Sequence, residues 1–260
     1  MIATRLFGAL ASFLVLAVMF APLERAFPAR AGQRWLRPAY ALDVCFFLGQ
    51  YLLWSALALG ALAAIRSASG GAALEWLRQS AARQPLIVQA IEVIALGDLL
   101  VYWWHRACHA SAFLWRFHAV HHSAEHLDWL AAHREHPLDG LTTQLAQNLP
   151  AFVLGFPLQT IAALAAFRGA WGIFIHSNVR LRLGLLGLIA GAPELHHWHH
   201  ARLQRTRHNF ANLAPWLDVL FGTYHRPEGD ETYPLGLDAP GPRSYWRQLL
   251  APFRSGNLPQ

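Results

Sequence analysis

Long apolar runs constrain this chain more than any other feature. Residues 2–20 are apolar apart from Thr4, Arg5 and Ser12, and residues 39–65 and 86–104 form two more runs. A fourth covers 141–176 and is interrupted by Pro150 and Pro157. A helix needs about 20 apolar residues to cross the hydrocarbon of a bilayer. With 55% of its 260 residues hydrophobic and 14% charged, the chain is too apolar for an ordinary soluble domain. The expected fold class is an all-α integral membrane protein. It forms one domain over residues 1–260, with about four transmembrane helical elements and a cytoplasmic histidine-rich helical cap.

A secretory signal is the rival reading of the first run. Ala29-Arg30-Ala31 resembles a small-residue cleavage site but sits too far past the apolar stretch, so a retained span is expected. Between the second and third runs, Leu74, Trp76 and Leu77 beside Arg78 suggest a short interfacial helix. Residues 183–192 are too short to span and read as interfacial. Residues 193–260 are polar helix and loop.

The net charge of +6 has arginine as its only fixed cation, since lysine is absent. Arg25, Arg30, Arg34 and Arg37 follow the first run, and Arg180 and Arg182 follow the last. Cations at the ends of apolar runs face lipid headgroups, which argues against a nucleic-acid partner. Four arginines in 21–38 against three in 66–85 place the first loop in the cytoplasm, here expected to be the cytoplasm behind a bacterial inner membrane. Cys45 lies within a run and Cys108 between two histidines, which does not suggest a disulfide framework. Asp43, Glu92 and Asp98 lie inside runs, where an acid must face protein or a water-filled cavity.

Histidine is the outlier in composition. Twelve of the fifteen fall in two windows, 105–136 and 196–200. His105 and His109 are four apart and share a helix face. His118, His121 and His122 repeat that logic, as do His196, His199 and His200. Adjacent His121 and His122 point about 100° apart on a helix, so they can serve two different metals. One tetrahedral ion takes four ligands, and eight histidines suit two ions. His176 ends the fourth run, where it reaches the same interface and reads as a further ligand. His136, before Pro137, is open between ligand and neighbour. His126, His133, His197, His208 and His225 read as outer-shell or surface groups. Asp98 precedes His105 by two helical turns; it either orients a ligand imidazole or lines a polar cavity. Imidazole suits zinc, copper, iron and nickel, and spacing does not choose among them.

Both histidine windows must lie on one side of the membrane to share a site. A single straight crossing between them would separate them. The 141–176 region must therefore return to its starting side, as a hairpin or re-entrant pair, with Pro150, Gly155 and Pro157 as turn residues.

In this order the motifs resemble the fatty acid hydroxylase / sterol desaturase superfamily of membrane di-iron enzymes. The matching residues are Asp98, Tyr102, His105-Arg106 and His109, then Phe117-His118, His121-His122-Ser123, His136-Pro137, and His196 with His199-His200. Asn209-Phe210 and Trp216-Leu217-Asp218 with Phe221-Gly222-Thr223 look like the family's tail. The likeness covers roughly 90–226. His197-Trp198 fill variable positions, and Arg207-His208 stand where an acid is often found.

The resemblance implies two iron ions held by His105, His109, His118, His121, His122, His196, His199 and His200, with His176 and His136. It implies O2 as co-substrate and hydroxylation or desaturation of a lipid C–H bond. It also implies electrons from a separate ferredoxin- or cytochrome-type protein, since the short N-terminal segment has no cytochrome-like domain. Two non-redox readings compete. In a zinc transporter or sensor, the ligands would lie near the membrane midplane. A zinc hydrolase would keep a glutamate base as in HExxH, a motif this sequence lacks.

Overall fold

A computed structural model describes residues 2–68, 70–156, 158–202, 207–239 and 241–254. Three helices are long and apolar enough to cross a membrane. The first is α1, Ile2–Ala26. The second, Tyr40–Ala68, is built from α2 (Tyr40–Gly49), a π-helical turn at Gln50–Trp54 and α3 (Ser55–Ala68). The third is α5, Leu86–Ala110, reached through the short α4, Ala72–Ala82. Outward faces such as Phe7, Leu10 and Val18 on α1 and Ile87 and Ile91 on α5 are apolar and exposed, as a lipid-facing surface requires. These runs match the expected spans, except that α5 continues through His105 and His109.

The fourth run forms two helices, α7 (Pro137–Val153) and α8 (Leu158–His176), which fold back on each other as a hairpin. Pro150 lies inside the last turns of α7 instead of at the bend, and Pro157 falls outside the described residues. The bend uses Gly155 at φ +72°, a left-handed conformation costly for other residues. At 17 residues α7 is about 25 Å long. Arg78 of α4 donates to the Val153 carbonyl at 2.9 Å, so the hairpin reaches the opposite end of the bundle from the cap. The hairpin returns the chain to its starting side, so the C-terminal ends of α5 and α8 and the loops after α1 and before α7 meet at one end.

That end carries α6 (Ala112–His122), α9 (Leu186–Ala190), α10 (Pro193–His199), α11 (Trp216–Leu220) and α12 (Tyr245–Leu250). Ser111 caps α6, accepting from the Leu114 amide. Pro193 starts α10, where its missing N–H costs nothing. Exposed Leu185, Leu186 and Ile189 around α9 suit the headgroup region. Among the described residues there is no strand, only bridges between Pro28 and Val179 and between Ala201 and Leu235.

The cap is fastened to the spans by a buried ion network. Asp43 at the start of α2 accepts from Arg134 at 2.6 and 2.9 Å and from Arg37 at 2.7 Å. Arg37 also pairs with Asp128 at 2.5 and 2.6 Å. Two positive and two negative charges thus cancel in a nearly solvent-free place, the condition under which buried ions are tolerated. Glu24 of α1 accepts from the Trp129 and Asn178 amides, tying both cap loops to the same helix end. Phe13, Phe47 and Trp129 pack edge-on beneath, with centroids 5.1 and 5.3 Å apart.

Candidate metal centre

Nine histidines converge in two groups. His105 and His109 from α5, His118 and His122 from α6, and His199 from α10 form the first. His121 from α6, His176 from α8, and His196 and His200 at α10 form the second. Within each group the potential ligand nitrogens lie within 4.8 Å of one another. Adjacent residues on one helix go to different groups: His121 and His122 diverge, and so do His199 and His200.

Backbone carbonyls and one carboxylate fix several of these rings. His105 Nδ1 donates to the Phe210 carbonyl at 2.7 Å and His199 Nδ1 to the His208 carbonyl at 2.8 Å. Asp139 accepts from His118 Nδ1 at 2.8 Å. In the second group, His121 Nδ1 donates to the Arg134 carbonyl at 3.0 Å and His176 Nδ1 to the Gly172 carbonyl at 2.6 Å. A carbonyl can only accept, so Nδ1 carries the proton in each carbonyl-bound ring and Nε2 is left as a bare lone pair.

The tail motif earns its place through this shell. Asp218 accepts from the Phe210 and Ala211 amides at 2.8 and 3.0 Å and from the Thr223 hydroxyl at 2.7 Å. Asn209, at φ +58°, donates to the Leu195 and His225 carbonyls. Together they hold the His208 and Phe210 carbonyls behind the first group.

These lone pairs meet. The Nε2 atoms of His105 and His118 are 3.0 Å apart, and those of His121 and His176 are 3.1 Å apart. In both pairs each Nδ1 already serves an acceptor. Burial and then neighbouring imidazoles hold His121, His122, His196 and His200 well below the usual 6.5, and burial lowers His199 to about 3. In each pair the two Nε2 atoms face each other at contact distance, and where both are bare a cation between them removes the repulsion. His109 Nε2, although buried, makes no hydrogen bond among the described residues. The donor set therefore fits one metal in each group.

The spacing bears on metal binding. Five Nε2–Nε2 separations, two in the first group and three in the second, run from 2.9 to 3.2 Å. With a metal–nitrogen bond of about 2.1 Å, ligands at a right angle are about 3.0 Å apart and tetrahedral ligands about 3.4 Å. Five nitrogens in the first group and four in the second are enough to ligate one metal each.

Two residues that the sequence leaves open find their places here. His136 joins neither group. It caps α7, its Nδ1 accepting from the Leu138 amide at 3.1 Å and its Nε2 facing the Leu249 carbonyl at 3.2 Å, so both ring nitrogens are engaged. Asp98 orients no imidazole. It pairs with Arg168 of α8, which also donates to the Ile94 carbonyl at 3.2 Å, and the pair lines a polar chamber. The carboxylate behind a histidine is Asp139, which the motif reading passed over. Its signal was an acid in the first turn of the helix that His136-Pro137 begins. Cys108 Sγ lies 3.9 Å from the other Asp139 oxygen.

Two cavities adjoin the groups. A chamber of about 420 Å³ touches His105, His118, His121, His176 and His196. A groove of about 390 Å³ runs between α3, α7 and α8, with Ala58, Leu62, Phe152 and Ile161 along it.

Spans, cap and paired polyhistidine groups define an integral membrane protein with a centre compatible with metal binding. Residues 90–223 match the profile of the fatty acid hydroxylase family, and the chain belongs to that family. It is 33% identical over 171 residues to an ornithine lipid hydroxylase, OlsE, of Rhizobium tropici, covering 65% of this chain and 51% of that protein. It is 30% identical over 139 residues to human alkylglycerol monooxygenase, covering 53% and 31%. With human lathosterol oxidase it shares 27% over 175 residues, 66% and 54% of the two chains. The matched region thus spans about half of these relatives' length or less. No solved structure matches the chain.

Proposed function

We propose that this chain is a di-iron, O2-dependent lipid oxidoreductase that hydroxylates or desaturates a C–H bond. The observation that carries the reading is the convergence of nine imidazoles into two groups, each with Nε2 atoms at contact distance. His105, His109, His118, His122 and His199 would hold one iron, and His121, His176, His196 and His200 the other. Family relatives named as lipid hydroxylases, monooxygenases and sterol oxidases support the chemistry. When bound and reduced, the irons supply O2 activation strong enough to oxidise an unactivated C–H bond.

The chain's own residues do the rest. The Phe210, His208, Arg134 and Gly172 carbonyls and Asp139 hold the rings with Nε2 bare and aimed inward. The apolar groove accommodates an acyl or alkyl chain, and the cap excludes water from the histidine chamber. Electrons come from a separate ferredoxin- or cytochrome-type protein on the cap side, which we place in the cytoplasm of a bacterium with the spans in its inner membrane.

The test is metal content of the detergent-purified protein, with O2 uptake after anaerobic reduction. Two irons per chain and O2 uptake are expected. His105→Ala and His121→Ala should each remove one metal and abolish uptake. Stoichiometric zinc, with no uptake after reconstitution with iron and reductant, would overturn the proposal.

A further inference from the structure

The groove and the chamber adjoin at a neck, and the residues lining both are Gln50, His133, Glu135, Gln144 and Ala165. Four of these five are polar, although the groove on one side is walled by α3, α7 and α8 with apolar side chains. The neck also falls where the second span breaks into its π-helical turn, with Gln50 as the first residue of that turn. Single π-turns within helices concentrate at functional sites.

Glu135 and Gln144 present polar atoms to the cavities that no described residue pairs. The Glu135 carboxyl makes no hydrogen bond among the described residues. His133 is 6% exposed, and its Nδ1 has no hydrogen-bond partner. Gln144 spends its side-chain oxygen on Asn148, at 3.1 Å, and leaves its amide nitrogen to the cavity. Buried polar groups are normally paired, and unpaired ones mark a place where something else pairs with them. Room for Glu135 is made by Gly140, where a Cβ would stand 2.6 Å from the carboxyl Oε2.

A bare alkyl chain threading this neck would leave all of these groups unpaired. A lipid whose chain carries an amide, an ester or a hydroxyl at that level would satisfy them. We infer that Glu135, Gln144 and His133 form a recognition collar for a hydrogen-bonding group of the lipid. The apolar chain lies in the groove, and the carbon presented to the histidine groups is close to the polar group, not at the far methyl end. This assignment rests on the reading that the chamber oxidises a lipid. It narrows the substrate class to lipids functionalised near the oxidised carbon.

The experiment compares eighteen-carbon probes binding to the purified full chain in detergent: stearamide, methyl stearate, 1-octadecanol and octadecane. Affinities are read from thermal shift across a concentration series. At least one polar probe should bind about tenfold more tightly than octadecane, and the three identify which polar group the collar takes. In E135L/Q144L that advantage should fall below about twofold, with octadecane binding and metal content unchanged. No preference in the wild type, or full preference in the double variant, overturns the collar. If the double variant loses metal or fails to fold, Gly140→Ala decides, because its new methyl displaces the Glu135 carboxyl without altering collar chemistry. An unchanged preference there also overturns the assignment. Binding is read without turnover. A selective protein with no O2 uptake would sink the oxygenase reading and leave the collar standing, and an active but unselective protein would do the reverse.

Discussion

The two histidine groups share α6 and α10 but take their third helix, and their support, from different places. The first takes five rings and leans on the tail, where Asp218 and Asn209 hold the carbonyls behind His105 and His199. It alone has a carboxylate, Asp139, behind one ring. The second takes four rings and leans on the cap loop, through the Arg134 carbonyl, and on α8 itself, through Gly172. An anionic acceptor makes an imidazole a stronger donor than a neutral carbonyl does. The lesson is that the two positions are chemically unequal: the first is electron-rich and anchored by the tail, and the second is anchored by the ion network that fastens the cap to the spans.

Acid is the harshest way to break this comparison, because it acts on both groups together. His121, His122, His196, His199 and His200 are held below the usual 6.5 by burial, whereas the unfolded chain binds a proton on each near that value. Protonation therefore favours the unfolded state below that pH. Stability of the chelator-treated protein should be full above about pH 7 and fall on acidification, by about 1.4 kcal/mol per pH unit for each such ring. A melting temperature of the metal-free protein that is flat between pH 8 and pH 5 would contradict the neutral-ring assignment.

Asp43→Ala separates the groups. It strands Arg37 and Arg134 in the ion network and should cost about 3–5 kcal/mol. The metal loss should fall on the second group, whose His121 depends on the Arg134 carbonyl. Chemical denaturation together with metal counting checks both halves, and equal loss from the two groups would erase the distinction.

Asp139→Asn makes the opposite cut and is milder. Removing the charge behind His118 should weaken the first metal by roughly 10- to 100-fold. The second should keep its affinity in a competitive chelator titration.

Much of this architecture was legible in the sequence. Hydropathy gave the three long spans because a bilayer demands length and apolarity in one stretch. Histidine spacing put the boxes on helices, since residues three and four apart share a face. The demand that both windows share a site required the 141–176 hairpin, and Gly155, one of the turn residues the sequence offers, makes its bend. What stayed hidden has a common cause. Four of the five acceptors behind the rings are backbone carbonyls, which every residue possesses, so no letter of the sequence marks Phe210, His208, Arg134 or Gly172 for that task. Asp98 looked like a partner for His105 because both lie on one helix. Its true partner, Arg168, is 70 positions away and reachable only once the hairpin exists. His136 had the right chemistry, but as the cap of α7 its ring is turned to the start of its own helix.

The divergence of His121 from His122, and of His199 from His200, has a mechanical consequence. The offset between the groups is written twice in covalent bonds, as one peptide unit of about 3.8 Å on each of two helices. Repacking, thermal breathing or drift elsewhere in the bundle acts on a gauge block of fixed length. Tuning can reach the ligands' surroundings, but the gap itself changes only if a residue is inserted or deleted, and that would scramble both halves in a single step.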